Sequence, residues 1–167
     1  MIIEIVSGTG AAPTKLAAFD AALHAAGVAN YNLIRLSSIV PPASTILHHK
    51  GGPLAEQPGN WGDRLYIVMA DMRVDTPNME AWAGIGWVHD EKTGRGLFVE
   101  HEGANEHTVR RDIEQSLKAL QKIRNVDFGP MHMEVVGRTC KHEPVCSLAL
   151  AVYRAEDWEP KPGFEDR

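Results

Sequence analysis

Asn32-Leu33-Ile34-Arg35-Leu36-Ser37-Ser38-Ile39-Val40-Pro41-Pro42 reads as a short buried strand, carrying Leu33, Ile34 and Leu36, that runs into a loop stiffened by two prolines. Two adjacent serines stand between apolar neighbours. An unpartnered hydroxyl in such a place is costly. Ser37 and Ser38 therefore either hydrogen-bond a turn, as serines at strand ends commonly do, or carry chemistry.

Upstream of this stretch lie a strand and a helix. Ile2 to Val6 is short and rich in β-branched residues, and Ser7-Gly8-Thr9-Gly10 reads as its break. Neither a Walker lysine nor a third dinucleotide glycine follows that Gly-x-Gly, so a phosphate loop is disfavoured. Pro13 and Thr14 open a helix over Lys15–Ala26 that Gly27 ends, with Leu16, Phe19, Leu23 and Ala26 as its apolar stripe. Asp20 borders that stripe. The opening order is thus β-α-β.

Downstream, residues 43–62 are punctuated by glycine and proline and read as loop, with Thr45–His48 a possible short strand. Asp63–Val74 alternates with apolar residues on both faces, as a central strand does. Met79–His89 mixes alanines that suit a helix with Gly84, Ile85, Gly86, Trp87 and Val88. The strand reading is preferred, because Asp90–Gly94 then forms a hairpin turn into 95–102. Asn105–Arg124 is a second helix with Val109, Ile113, Leu117, Leu120 and Ile123 on one face. Met131–Thr139 and Val145–Arg154 are the last strands, and the polar tail Trp158–Arg167 reads as loosely held. Strands and helices in this order make an α+β single domain with sheets packed on each other.

The 167 residues suffice for a substantial core, and 44% hydrophobic with 23% charged residues is ordinary for a globular protein. A net charge of −5 without a Lys/Arg cluster argues against nucleic acid. No apolar run reaches the length of a membrane span. Met1–Val6 lacks the basic region of a signal peptide, and two cysteines make no disulfide framework. These features point to the cytoplasm.

Phe19-Asp20-Ala21-Ala22-Leu23, Gly27, the string from Asn30 to Pro42, and Gly96-Leu97-Phe98-Val99-Glu100-His101-Glu102-Gly103 together resemble the pyruvoyl-dependent arginine decarboxylases. The resemblance is close over the first forty or so residues, returns at 96–103, and is loose between. It implies a four-layer α-β-β-α sandwich and a homotrimer of cleaved protomers with sites at subunit interfaces. It further implies a carbon-carbon lyase of the polyamine pathway that converts L-arginine to agmatine and carbon dioxide.

Decarboxylating an α-amino acid requires an electron sink. Pyridoxal phosphate, the usual one, is held by a lysine and a phosphate site, and the sequence offers neither in recognisable form. The resemblance implies instead a pyruvoyl group formed from Ser38, without pyridoxal phosphate or metal. The Ser38 hydroxyl attacks the Ser37 carbonyl, and the chain parts into 1–37 and 38–167. Such an attack demands a strained, immobilised turn and an oxyanion donor, for which Asn32 is the candidate by its match to the family's motif. Asp20 falls at the position of the family's substrate-binding aspartate and would take a guanidinium.

Strand parity puts Phe98, Glu100 and Glu102 on one face of 97–102 and Leu97, Val99 and His101 on the other. A glutamate among apolar side chains is suited to hold a proton near neutrality, as the acid that protonates Cα must. Glu100 is the candidate, against the plainer reading of a strand-edge ion pair. His101 is left without a role.

Other readings compete. Cys140-x-His142-x-x-x-Cys146, with His48, His49 or His132 as a fourth ligand, resembles a metal-site fragment, but its spacing matches no established zinc framework. A decarboxylase-like subunit that never cleaves and serves in binding or assembly would keep the same fold. A pyruvoyl decarboxylase of another amino acid, such as lysine or ornithine, would keep the same chemistry.

Overall fold

The computed structural model describes residues 1–158. The elements follow as β1 (Ile2–Ala11), α1 (Lys15–Ala25), β2 (Asn32–Arg35), β3 (Ile39–Val40), β4 (Thr45–His48), β5 (Arg64–Val74), β6 (Glu80–His89), β7 (Gly96–Gly103), α2 (Glu106–Arg124), β8 (Met131–Thr139) and β9 (Val145–Glu156). They form two sheets, ordered β2-β5-β9-β1-β4 and β3-β7-β6-β8. The β1–β4 and β2–β5 pairs are parallel, and the others are antiparallel.

Alternation along the long strands builds the layers. In β9, Leu148, Leu150 and Val152 pack beneath α1 together with Val6, Leu65 and Ile67. Ala149, Ala151 and Tyr153, from the same strand, face the other way and meet Ile85, Trp87 and Phe98 of the second sheet. That sheet's outer face carries Val88, Leu97 and Val99 against Val109, Ile113 and Leu117 of α2. Each fully buried aliphatic side chain contributes about 1.5–3 kcal/mol, which is why the interior strands are apolar on both faces. The result is a four-layer α-β-β-α sandwich. Thr14 caps α1 by accepting from the Ala17 N–H, and Asn105 caps α2 by accepting from the Thr108 N–H.

Four expectations are corrected. The Gly8-Thr9-Gly10 segment does not break the first strand, since β1 continues to Ala11. A Cβ at Gly8 would lie 2.4 Å from the Ala22 carbonyl oxygen, and one at Gly10 2.4 Å from that of Ala18. These glycines let α1 lie directly on the strand. For the same reason the buried side of α1 is Ala18, Ala22, Leu23 and Ala26, while Leu16 is 70% exposed. Of the predicted stripe, Leu23 and Ala26 are buried and Phe19 packs half-buried against the core, so Leu16 is the one misplaced. A helix this close to a sheet has room for alanine at the contact. On α2, Val109, Ile113 and Leu117 are buried as predicted, but Ile123 lies in solvent. Finally, β2 is an edge strand, so Leu33, Ile34 and Leu36 are only half-buried. The tail reading falls, from residue 159 onward, outside the described residues.

Candidate active site

The chain changes sheets at the serine pair. The Leu36 N–H donates to the Ile67 carbonyl at 2.8 Å, extending the β2–β5 ladder by one bond. The Ser38 carbonyl accepts from the Phe98 N–H at 2.9 Å, and Ile39 and Val40 pair with Leu97 and Gly96 of β7. Ser37, exposed, is the residue between these two anchored segments. Ser38 has φ +66°, in the left-handed region. That conformation costs a non-glycine residue on the order of 1–3 kcal/mol, and it persists where the surroundings hold both sides of it.

The Ser38 hydroxyl donates to Glu100 Oε1 at 2.5 Å. A carboxylate acceptor shortens and strengthens an O–H···O bond, so the pair fixes the direction of Ser38 Oγ. Glu100 lies on the inter-sheet side of β7, two residues beyond buried Phe98. Because β3 spans only two residues, the β7 edge from Val99 onward is not covered by it. Ser38, Phe98, Glu100, His101, Ser116 and Leu120 line a cavity of about 380 Å³ there. His101 occupies the opposite face of β7, where its Nε2 is 2.8 Å from Ser116 Oγ of α2.

A residue that sequence reasoning missed stands behind this pair. Tyr153 of β9 is buried, packs edge-on against Phe98 with ring centroids 6.1 Å apart, and donates its hydroxyl to the Ile39 carbonyl at 2.8 Å. Burial, and secondly the nearby Glu100 charge, push its phenol well above the ordinary tyrosine value, so it stays a neutral donor. The available signal was parity: a polar tip on the face that Ala149 and Ala151 also present.

Two predicted site residues lie apart from the Ser38 pair within this chain. Asp20 is exposed on α1, 3.7 Å from His24 one turn away, and does not line the cavity. Asn32 donates its amide to the Gly62 carbonyl at 2.6 Å, and its backbone N–H to the Asp63 carbonyl at 2.8 Å. It fastens the start of β2 to the 60–63 loop, with one of its two side-chain amide protons engaged there.

Cys140 and Cys146 are both buried, in separate hydrophobic clusters, and Cys140 Sγ donates to the Glu143 carbonyl at 3.3 Å. Burial pushes the Cys146 thiol up to about 12. Among the described residues, no three His, Cys, Asp or Glu side chains are grouped to hold a metal ion, and no helix is long and apolar enough to cross a membrane. A larger cavity of about 730 Å³ opens beside β4, β6 and β8 around His48, Trp87 and His132, without Ser38 or Glu100. It lies at the opposite edge of the sandwich.

The fold is thus an α-β-β-α sandwich with a serine pair where the chain passes between its sheets, facing a glutamate. The family model described as pyruvoyl-dependent arginine decarboxylase matches residues 2–157, and the chain belongs to that family. A pyruvoyl-dependent arginine decarboxylase of Halobacterium salinarum is 41% identical over 108 residues, covering 64% of this chain and 62% of the relative. Pyruvoyl-dependent arginine decarboxylase 2 of Archaeoglobus fulgidus is 34% identical over 122 residues, covering 70% of this chain and 75% of the relative. The match thus spans less than two thirds of the Halobacterium protein's length. A solved pyruvoyl-dependent histidine decarboxylase at pH 8 aligns with a TM-score of 0.44 and 13% identity, over 71% of this chain and 61% of that one. That likeness is too weak to build on.

Family membership implies a pyruvoyl group made from a serine. The residues present fit it. Position 38 supplies the hydroxyl such a group is made from, in a strained backbone conformation, with Oγ held by a carboxylate at the wall of a cavity.

Proposed function

We propose that the chain is a self-processing pyruvoyl-dependent decarboxylase that converts L-arginine to agmatine and carbon dioxide, in the cytoplasm and within the polyamine pathway. The observation that carries the reading is the 2.5 Å contact between Ser38 Oγ and Glu100, at a serine whose backbone is strained.

In the self-processing step, Ser38 Oγ attacks the carbonyl carbon of Ser37. The Oγ proton passes to a base, for which Glu100 is in place, and the amide C–N bond breaks as the amine takes up a proton. The product is an ester between residues 37 and 38. Removal of the Ser38 α-proton then expels the Ser37 carboxylate from Cβ, leaving dehydroalanine at 38. Its imine tautomer takes up water and releases ammonia, which ends the 38–167 chain in a pyruvoyl group, while 1–37 keeps an ordinary carboxylate. Strain at Ser38 favours the first step because cutting the chain relieves it.

The pyruvoyl ketone supplies the electron sink for decarboxylation beside the substrate amine. The chain's own residues then bind the substrate and move a proton. Glu100, at the cavity wall, delivers it to Cα after carbon dioxide leaves. Asp20 binds the guanidinium as a charge-assisted partner. Its exposed position on α1 supports a site completed between subunits of a homotrimer, where Asp20 reaches the cavity of a neighbouring copy.

Intact-mass spectrometry with and without borohydride, followed by an assay for agmatine, tests this reading. Fragments 1–37 and 38–167, the second gaining mass on reduction, together with agmatine formed from arginine, are expected. A chain that stays whole on long incubation would leave the binding or assembly reading in its place. Cleaved protein that releases carbon dioxide from lysine or ornithine, and not from arginine, would move the substrate assignment.

A further inference from the structure

We infer that Tyr153 is a positioning residue for chain cleavage: by holding the Ile39 carbonyl from the opposite sheet, its hydroxyl keeps Ser38 in the conformation from which Oγ reaches the Ser37 carbonyl. The inference rests on the self-processing reading above and assigns a role to a side chain outside the serine pair and its glutamate.

The chain between the two sheets is pinned at both ends. Upstream, the Leu36 N–H is held by the Ile67 carbonyl of β5. Downstream, two successive peptide groups are held: the Ser38 carbonyl by the Phe98 N–H at 2.9 Å, and the Ile39 carbonyl by the Tyr153 hydroxyl at 2.8 Å. The first downstream tie comes from β7, in the sheet that β3 itself joins. The second comes from β9, in the other sheet. Tyr153 therefore fixes the downstream end of the crossing relative to the sheet that holds its upstream end. With both ends so placed, the chain crosses with Ser38 at φ +66°.

The tyrosine is built for that task. Its ring is buried among Phe98, Ala149 and Ala151, so the hydroxyl has a fixed address. Burial and the Glu100 charge both favour the protonated phenol, so the donor persists through the neutral and mildly alkaline range. Without the hydroxyl, the Ile39 carbonyl loses its tie to the first sheet, and the downstream end of the crossing is held by β7 alone. Ser38 can then relax toward negative φ, taking Oγ away from both Glu100 and the Ser37 carbonyl.

The test is Tyr153→Phe, which keeps the ring and removes one oxygen. Freshly purified full-length wild-type and variant chains are followed by intact mass, with and without hydroxylamine, and their melting temperatures are recorded. Tyr66→Phe is the control. It also loses a hydroxyl, but one bonded to Glu156 of β9 at 2.7 Å and not to a carbonyl of the crossing. Cleavage about tenfold slower in Tyr153→Phe, the worth of roughly one hydrogen bond in a barrier, is expected, with Tyr66→Phe at the wild-type rate. Hydroxylamine, which cuts an ester, should not restore the variant's rate, because the slowed step precedes the ester. Cleavage of Tyr153→Phe at the wild-type rate overturns the inference. So does a slowing that Tyr66→Phe reproduces at an equal loss of melting temperature. A wild-type chain that never cleaves would instead strike the self-processing reading itself, and this inference with it.

Discussion

The Ser38 hydroxyl donates to Glu100 Oε1 at 2.5 Å, although the two residues lie 62 positions apart, one in the crossing between the sheets and the other on β7. A proton acceptor already on the oxygen that must become a nucleophile, and at the wall of the cavity, can serve in cleavage and again in turnover. Glu100→Gln keeps the size and a hydrogen-bonding acceptor but removes the exchangeable acid. Once the cleaved fraction is isolated, its turnover of arginine should fall by about 10²–10⁴, the usual worth of a general acid. Agmatine release per reducible pyruvoyl group measures this. An unchanged rate would remove Glu100 from the chemistry.

The close seat of α1 on β1 makes a second prediction. In Gly10→Ala, the new methyl would fall 2.4 Å from the Ala18 carbonyl oxygen and 2.5 Å from the Ala22 nitrogen, both backbone atoms that no rotamer change can move. The helix must lift, and overpacking of this kind costs about 1–3 kcal/mol. Urea denaturation should show a lower midpoint at an unchanged slope. A variant as stable as the wild type would mean that α1 sits further out than described.

The same contact explains what could be read from the sequence alone. Helix bounds were legible from caps and Gly27, and the strand reading of Met79–His89 held because a hairpin turn followed it. The parity that put Phe98 and Glu100 on one face of β7 also held, since period two is a property of the strand itself. The alanine contact of α1, through Ala18 and Ala22, was not legible, because glycines on a neighbouring strand decide it. Nor was the meeting of Ser38 with Glu100, or of Tyr153 with Ile39. Each depends on how two sheets are laid over one another, and local periodicity contains no such term. The serine-rich stretch showed that something happened there, and the packing of the sheets showed with which partners.

At the opposite edge of the sandwich, Glu134 is 8% exposed and has both oxygens engaged: Ser7 donates to Oε1 at 2.7 Å, and His48 Nε2 pairs with Oε2 at 2.7 Å. This ties β1 and β4 of one sheet to β8 of the other. His48→Ala would leave a buried carboxylate oxygen without its partner, at about 1–3 kcal/mol. In the adjacent pair of His49 with Glu4, at 2.8 Å, the carboxylate side chain is the more exposed one, 27% against 11% for that of Glu134. Water can replace the lost partner there, so His49→Ala should cost less, under about 1 kcal/mol. Denaturant titrations of both variants check the ranking, and equal losses would refute it. Cleavage at Ser38 should proceed in both.

Alkaline pH should loosen the sandwich from its interior. Burial raises the Cys146 thiol from its ordinary 9.0 to about 12, and raises the Tyr153 phenol as well. In both groups the folded state favours the protonated, neutral form. Their contribution to stability is therefore complete below the unfolded values and is lost as pH rises toward the folded ones. For the thiol the window runs from about 9 to about 12. At pH 10, roughly one unit into it, the loss from this group alone is about 1.4 kcal/mol. Cys146→Ala removes that titration while keeping a small apolar side chain beneath α1. It should be less stable than the wild type at pH 7, where it leaves a small void, yet lose stability less steeply between pH 9 and 11. Stability measured by urea denaturation across that range decides the matter. Parallel slopes for the two proteins would show that the alkaline transition belongs to other groups.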